Sequence, residues 1–110
     1  MITFFKKDSR TVFLVQSKHE LSVQDNERLS WLLQGAQPLS SKMLKGRFVG
    51  PRKEMITPWS TNAVEIAQNM GLGGIERIEE FNRVPADGEP QYDPMLQCVY
   101  DDLKASVFEI

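Results

Sequence analysis

Cys98 is the only cysteine of the chain and His19 the only histidine. A thiol nucleophile needs a base within reach. Cys98 lies among Met95, Val99 and Leu103, in an apolar pattern, while His19 sits in a turn between two predicted elements. Cys98 therefore reads as a small buried apolar residue, and no catalytic residue is assigned. Carboxylates occur in pairs at Glu79-Glu80 and Asp101-Asp102, with Glu65 apart from them. Neighbouring residues of a strand or helix point to different faces, so neither pair converges on one substrate. They read as solvated surface, and their spacing matches no metal-binding pattern. The glycines of Gly71-Leu-Gly73-Gly74 follow a predicted helix, whereas a dinucleotide loop needs a strand before it and a helix after it. They read as a helix stop and a turn, and no cofactor-binding residue is assigned.

One segment is richer. Between Gly50 and Gly71 the chain places Arg52 and Lys53 on a loop bounded by Pro51 and Pro58. It then delivers Trp59, Ser60, Thr61 and Asn62 to the start of a helix. Free N–H groups and the helix dipole favour an anion or a carbonyl partner there, and Arg52 could add a bidentate fork. Capping by Ser60, Thr61 and Asn62, with Trp59 filling the core, accounts for the same residues without a ligand. Arg52, Trp59, Ser60, Thr61 and Asn62 are the candidate interface residues.

The elements around this segment follow from periodicity and punctuation. Residues 2–5 and 11–16 are rich in β-branched and aromatic types and read as strands joined by a polar turn. Ser22 with Asp25 matches a capping box. It opens a helix over 23–35 with Leu29, Leu32, Leu33 and Ala36 on one face and Gly35 as its stop. Residues 37–46 read as loop and 47–50 as a short strand. Asn62 with Glu65 has capping-box spacing, and Ala63, Ile66, Ala67 and Met70 recur as on one helical face. This predicts a helix over 62–70. The stretch 75–81 has apolar residues three apart, as in a helix, but it is short and follows two glycines, so strand is preferred. Residues 82–92 read as exposed loop. Asp93-Pro94 resembles an N-cap and first helical residue, predicting a helix over 94–105. The result is an α+β domain, an antiparallel or mixed sheet with helices on one face.

Length and composition bound the rest. The chain has 110 residues, 41% hydrophobic and 25% charged, which fits a single domain, 1–110. One cysteine excludes an intramolecular disulfide framework. Thirteen basic residues against fifteen acidic ones leave a net charge of −2. No nucleic-acid partner is therefore expected. No apolar run approaches the roughly 20 residues of a membrane span, and the N-terminus lacks a secretory pattern. A cytoplasmic setting is expected. The apolar ending Val107-Phe-Glu-Ile110 suggests a piece cut from a longer protein.

Within 51–71 the residues Pro51-Arg52, Thr57-Pro-Trp-Ser60, Ala63, Ile66-Ala67, Asn69 and Gly71 resemble the N-terminal domain of the large, fused phosphoribosylformylglycinamidine synthases. Lys53-Glu-Met-Ile56 stands where that family carries a small Gly-Thr pair, and Thr61-Asn62 replaces Ser-Lys. The resemblance extends to Ile75-Glu-Arg-Ile-Glu79, Tyr100-Asp-Asp-Leu103 and Val107-Phe108. It covers 47–110 well and 1–46 only in layout.

The resemblance implies a PurS-like fold, similar to a fused dimer of the separate small subunit of the multi-chain enzyme. It implies a non-catalytic domain that bridges the synthetase and glutaminase domains of the same polypeptide and supports ammonia channelling. It places ATP and Mg²⁺ in the synthetase domain and none in this one. An autonomous module holding phosphate or another anion through the 51–62 loop and the helix N-terminus is the alternative. The sequence leaves open whether the chain pairs with a second copy through an exposed sheet edge.

Overall fold

β-branched and aromatic residues dominate the first two strands, β1 (Ile2–Lys6) and β2 (Thr11–Ser17), which pair antiparallel from Ile2↔Gln16 to Lys6↔Val12. The computed structural model describes residues 1–41, 43–85 and 87–108. Asp8 fixes the turn between the strands, its Oδ1 accepting from the amides of Arg10 and Thr11 at 2.8 Å each. The chain continues with α1 (Val23–Leu32), β3 (Gln37–Pro38), β4 (Met43–Pro51), α2 (Pro58–Asn69), β5 (Ile75–Arg83) and β6 (Gln97–Lys104). The six strands form one antiparallel sheet in the order β3-β1-β2-β5-β4-β6. The fold is thus α+β, with both helices on one face and an architecture of the PurS-like kind.

The sheet buries both faces. Phe5, Phe13, Val15, Ile75 and Ile78 meet Leu29, Leu33, Ala63 and Ala67 of the helices. On the other face Phe4, Val12, Leu14 and Phe81 meet Phe48, Leu103, Val107 and Phe108. This second core requires the β4–β6 half of the sheet to curl back over the first half. β4 pairs with β5 only at Phe48↔Arg83 and Val49↔Asn82. Gly50 permits the crossing, because a Cβ there would lie 2.2 Å from the ring of Phe81.

Three expectations are corrected. The predicted helix over 94–105 is a turn followed by β6. Its spacing of four, Met95, Val99 and Leu103, also fits the two-residue repeat of a strand. Val99 and Tyr100 favour extended backbone, and β4 offers a ladder from Met43↔Lys104 to Pro51↔Gln97. A bulge in that ladder is closed by Asp102 (φ 64°), whose Oδ1 accepts from the amide of Gly46 (φ 120°) at 2.8 Å. The second helix begins at Pro58 rather than Asn62, with Thr57 as its cap. The strand expected at 47–50 runs from Met43 to Pro51, taking in much of the predicted loop. The strand preferred for 75–81 is present as β5, and its three-residue spacing serves two cores, Ile78 facing the helices and Phe81 the opposite side. Of the apolar ending, Val107 and Phe108 are buried in the second core, and residues 109–110 lie outside the described residues.

Candidate functional site

The short β4–β5 pairing leaves β5 without a strand neighbour on that side from Ile75 to Phe81. Residues 52–60 fill the gap with side-chain chemistry. The amide of Ile78 donates to Ser60 Oγ at 3.0 Å, so a helix residue stands where a strand carbonyl would. Arg77 and Glu79 alternate along β5 onto the same face and are 3% and 1% exposed. Arg77 Nε donates to Glu79 Oε2 at 2.9 Å. Its Nη1 donates to the Lys53 carbonyl at 2.7 Å, and its Nη2 to those of Arg52 and Met55 at 3.1 and 3.0 Å. The guanidinium also lies 4.0 Å from the ring centroid of Phe108. One buried cation thus gathers three loop carbonyls, a carboxylate and an aromatic face.

Glu79 holds the other end of the loop. Its Oε1 accepts from Thr57 Oγ1 at 2.6 Å and its Oε2 from the Thr57 amide at 3.2 Å. Thr57 Oγ1 in turn accepts from the Ser60 amide at 3.0 Å, capping α2. A carboxylate therefore already sits beside the helix N-terminus, where the dipole favours negative charge. Sequence reasoning missed both residues of this pair. Glu79-Glu80 reads as solvated acid; Glu80 is exposed, but Glu79 is buried. The available signal was Arg77 two residues before Glu79 in a strand with two buried faces.

Each sequence-assigned residue has a definite place. Arg52 lies on the far side of the loop and clips the 93–96 turn. Its amide donates to the Leu96 carbonyl at 3.3 Å, and its guanidinium donates to the Pro94 carbonyl. Trp59 stacks on Phe13, with centroids 5.9 Å apart and planes inclined by 14°, while 45% of it stays in solvent. Ser60 is fully buried and serves β5. Thr61 is exposed, its hydroxyl donating to the Thr57 carbonyl at 3.3 Å, and Asn62 is exposed on the same turn. Around them Met55, Ile56 at 59% and Ile66 expose apolar side chains along the loop and α2.

Among the described residues nothing else gathers comparable chemistry. Cys98 is half-buried on β6, two residues from Tyr100, and His19 lies at Gly74 on the far end of β5. Burial, with a smaller contribution from the Cys98 thiol, pushes the Tyr100 phenol well above its ordinary range. Its hydroxyl donates to the Pro51 carbonyl at 2.5 Å. Among the described residues no three acidic, histidine or cysteine side chains gather as a metal site, and no helix is long and apolar enough to cross a membrane.

A curled antiparallel sheet with two helices on one face, and a loop locked onto its split edge, defines a PurS-like domain. A family model described as formylglycinamide ribonucleotide amidotransferase N-terminal matches residues 10–109, and the chain belongs to this family. The chain is also 40% identical over 63 residues to human phosphoribosylformylglycinamidine synthase, a match covering 57% of this chain and 4% of that protein. The chain thus spans a small fraction of the length of this curated relative.

Proposed function

We propose that the domain is a non-catalytic assembly module of a phosphoribosylformylglycinamidine synthase in purine biosynthesis. It packs against the synthetase and glutaminase domains of the same polypeptide and supports passage of ammonia between them. ATP and Mg²⁺ act in the synthetase domain, not here. One observation carries the reading. Met55, Ile56 and Trp59, with Ile66 further along α2, expose apolar surface on and beside a segment that Arg77 and Glu79 fasten from below. Apolar side chains held in fixed positions at the surface are what a permanent protein contact requires.

The anion-binding alternative receives no such support. Glu79 occupies the helix N-terminus and the Arg52 guanidinium is engaged by Pro94. The test is to mix the chain with the separately expressed remainder of the synthase and read binding together with glutamine-dependent ligase activity. Binding with restored activity is expected, and Ile56→Asp should weaken both. Absence of binding and of any effect on activity would overturn the assembly role.

A further inference from the structure

Trp59 and the 93–96 turn face each other across a cavity of about 270 Å³. Pro51, Trp59 and Leu96 give it apolar walls, and Glu80, Asp93 and Gln97 give it polar ones. Its size falls below the roughly 300 Å³ at which small-molecule sites begin, so it suits one long side chain better than a metabolite. Both walls are fixed in advance. Trp59 is in the first turn of α2 and stacks on Phe13. The opposite turn is held by the two-way clip from Arg52 and by Asp93, whose Oδ1 accepts from the Met95 amide at 3.0 Å and whose carbonyl accepts from the Gln97 amide at 2.7 Å. Leu96 is nonetheless 54% exposed. Apolar groups restrained this way lose little freedom when covered.

The charges decide the occupant. Glu79 is compensated by Arg77, but Glu80 and Asp93 are exposed, and among the described residues neither forms an ion pair. Asp93 uses one carboxylate oxygen for its turn, leaving the other free. Arg77 is committed to Glu79 and the loop carbonyls, the Arg52 guanidinium is turned to the Pro94 carbonyl, and neither lines the cavity. An apolar plug would desolvate both carboxylates without compensation. An arginine side chain can lay its stem against Leu96, stack its guanidinium on Trp59 and donate to both acids.

We infer that this notch receives an arginine side chain from a basic segment of the protein that covers this face. The inference rests on the assembly role proposed above, and supplies the chemistry of the partner at this point of contact. Trp59 reports on it once Trp31→Phe removes the other tryptophan. The probes are acetylated and amidated Gly-Arg-Gly, its norleucine counterpart, and the separately expressed remainder of the synthase. The arginine peptide should change Trp59 fluorescence saturably and the norleucine peptide should not. Glu80→Gln and Asp93→Asn, which keeps the turn, should each weaken the peptide and the large partner roughly two- to fivefold, and added salt should weaken both. Equal response to both peptides, or to neither, overturns the arginine notch. If the partner still binds and only Ile56→Asp weakens it, assembly stands and the notch falls. If the peptide binds as expected and the partner does not, the notch stands and the assembly role falls.

Discussion

The two edges of β5 solve one problem in different ways. Toward β2 it pairs from Thr11↔Asn82 to Ser17↔Ile75, an almost continuous backbone ladder. Toward β4 it pairs at two positions; beyond them Ser60 takes the Ile78 amide, and Thr57 and the Arg77–Glu79 pair tie the loop to β5 through side chains. A ladder is made between backbone groups and does not depend on which side chains flank it. The side-chain edge depends on a few atoms, those of Ser60, Arg77 and Glu79 being buried. It also does something a ladder does not. It fixes an irregular loop, and with it Met55, Ile56 and Trp59, at the surface. The part of the sheet that looks interrupted is the part that presents the contact face.

The largest effect that would separate these edges is expected at Arg77. Arg77→Ala leaves Glu79 buried without its cation and three loop carbonyls without a donor. Breaking a buried pair this way costs about 3–5 kcal/mol, a large share of the roughly 5–15 kcal/mol of a typical domain. Urea unfolding checks the loss. Hydrogen exchange should show residues 52–60 opening first, with the β2–β5 ladder protected. Arg77→Lys should recover little, because an ammonium lacks the planar fork that reaches four partners. A loss of under about 1 kcal/mol would mean the pair is dispensable and the edge holds by other contacts.

Ser60→Ala comes next. It removes one oxygen from a fully buried position and leaves the Ile78 amide unsatisfied. The expected cost is about 1–3 kcal/mol. Thr11→Ala, at a side-chain bond of 3.1 Å between Thr11 and Asn82 on the laddered edge, is the comparison. Its partner Asn82 is exposed and can turn to water, so the loss there should stay near 0.5 kcal/mol. Similar losses at the two sites would erase the distinction between the edges.

Thr57 joins the cap to the carboxylate. Thr57→Ala removes the acceptor for the Ser60 amide and a donor to Glu79, at a cost of about 0.5–2 kcal/mol. Thr57→Ser keeps both bonds and should restore most of it in the same unfolding measurement. Failure of serine to restore stability would point to packing of the threonine methyl instead.

What was legible in the sequence follows the same division. β1, β2 and α1 announce themselves through local composition and the Ser22–Asp25 box, which is present as read, with Asp25 and Ser22 exchanging bonds at 3.1 Å. Asn62 and Glu65 imitate that box, and the imitation hid the true start. Thr57-Pro58 and Asp93-Pro94 are the same kind of signal, yet one opens a helix and the other a turn. The difference lies downstream. Ala63, Ile66 and Ala67 after Pro58 suit a helix. Val99, Tyr100 and two aspartates after Pro94 do not, and β4 supplies a partner strand. The site was legible as a segment but not as a mechanism. Arg77, two residues before Glu79, is the one local mark of its burial, and the loop that completes the site lies more than twenty residues earlier.

The smallest effect concerns the join between β6 and the loop, and it is a matter of pH. Tyr100 donates to the Pro51 carbonyl, and burial, aided by Cys98, holds its phenol above the ordinary value of about 10. The folded chain therefore keeps a proton that the unfolded chain releases. The sign follows from linkage: where the native state binds more protons, stability falls as pH rises. The contribution of Tyr100 is intact below about pH 10 and is lost progressively above it. Tyr100→Phe removes both the hydrogen bond and this slope, so parent and variant should differ most near neutrality and converge as the solution becomes strongly alkaline. The other tyrosine, Tyr92, is exposed. Tyr92→Phe should leave the parent's slope unchanged, and taking the difference between variants cancels the lysines that titrate in the same range. A gap between Tyr100→Phe and the parent that stays constant into alkali would mean that the phenol is free to ionise in the folded chain. Pro51 would then be held by the β4–β6 ladder alone, and this end of the loop would belong with the backbone-paired edge rather than the side-chain one.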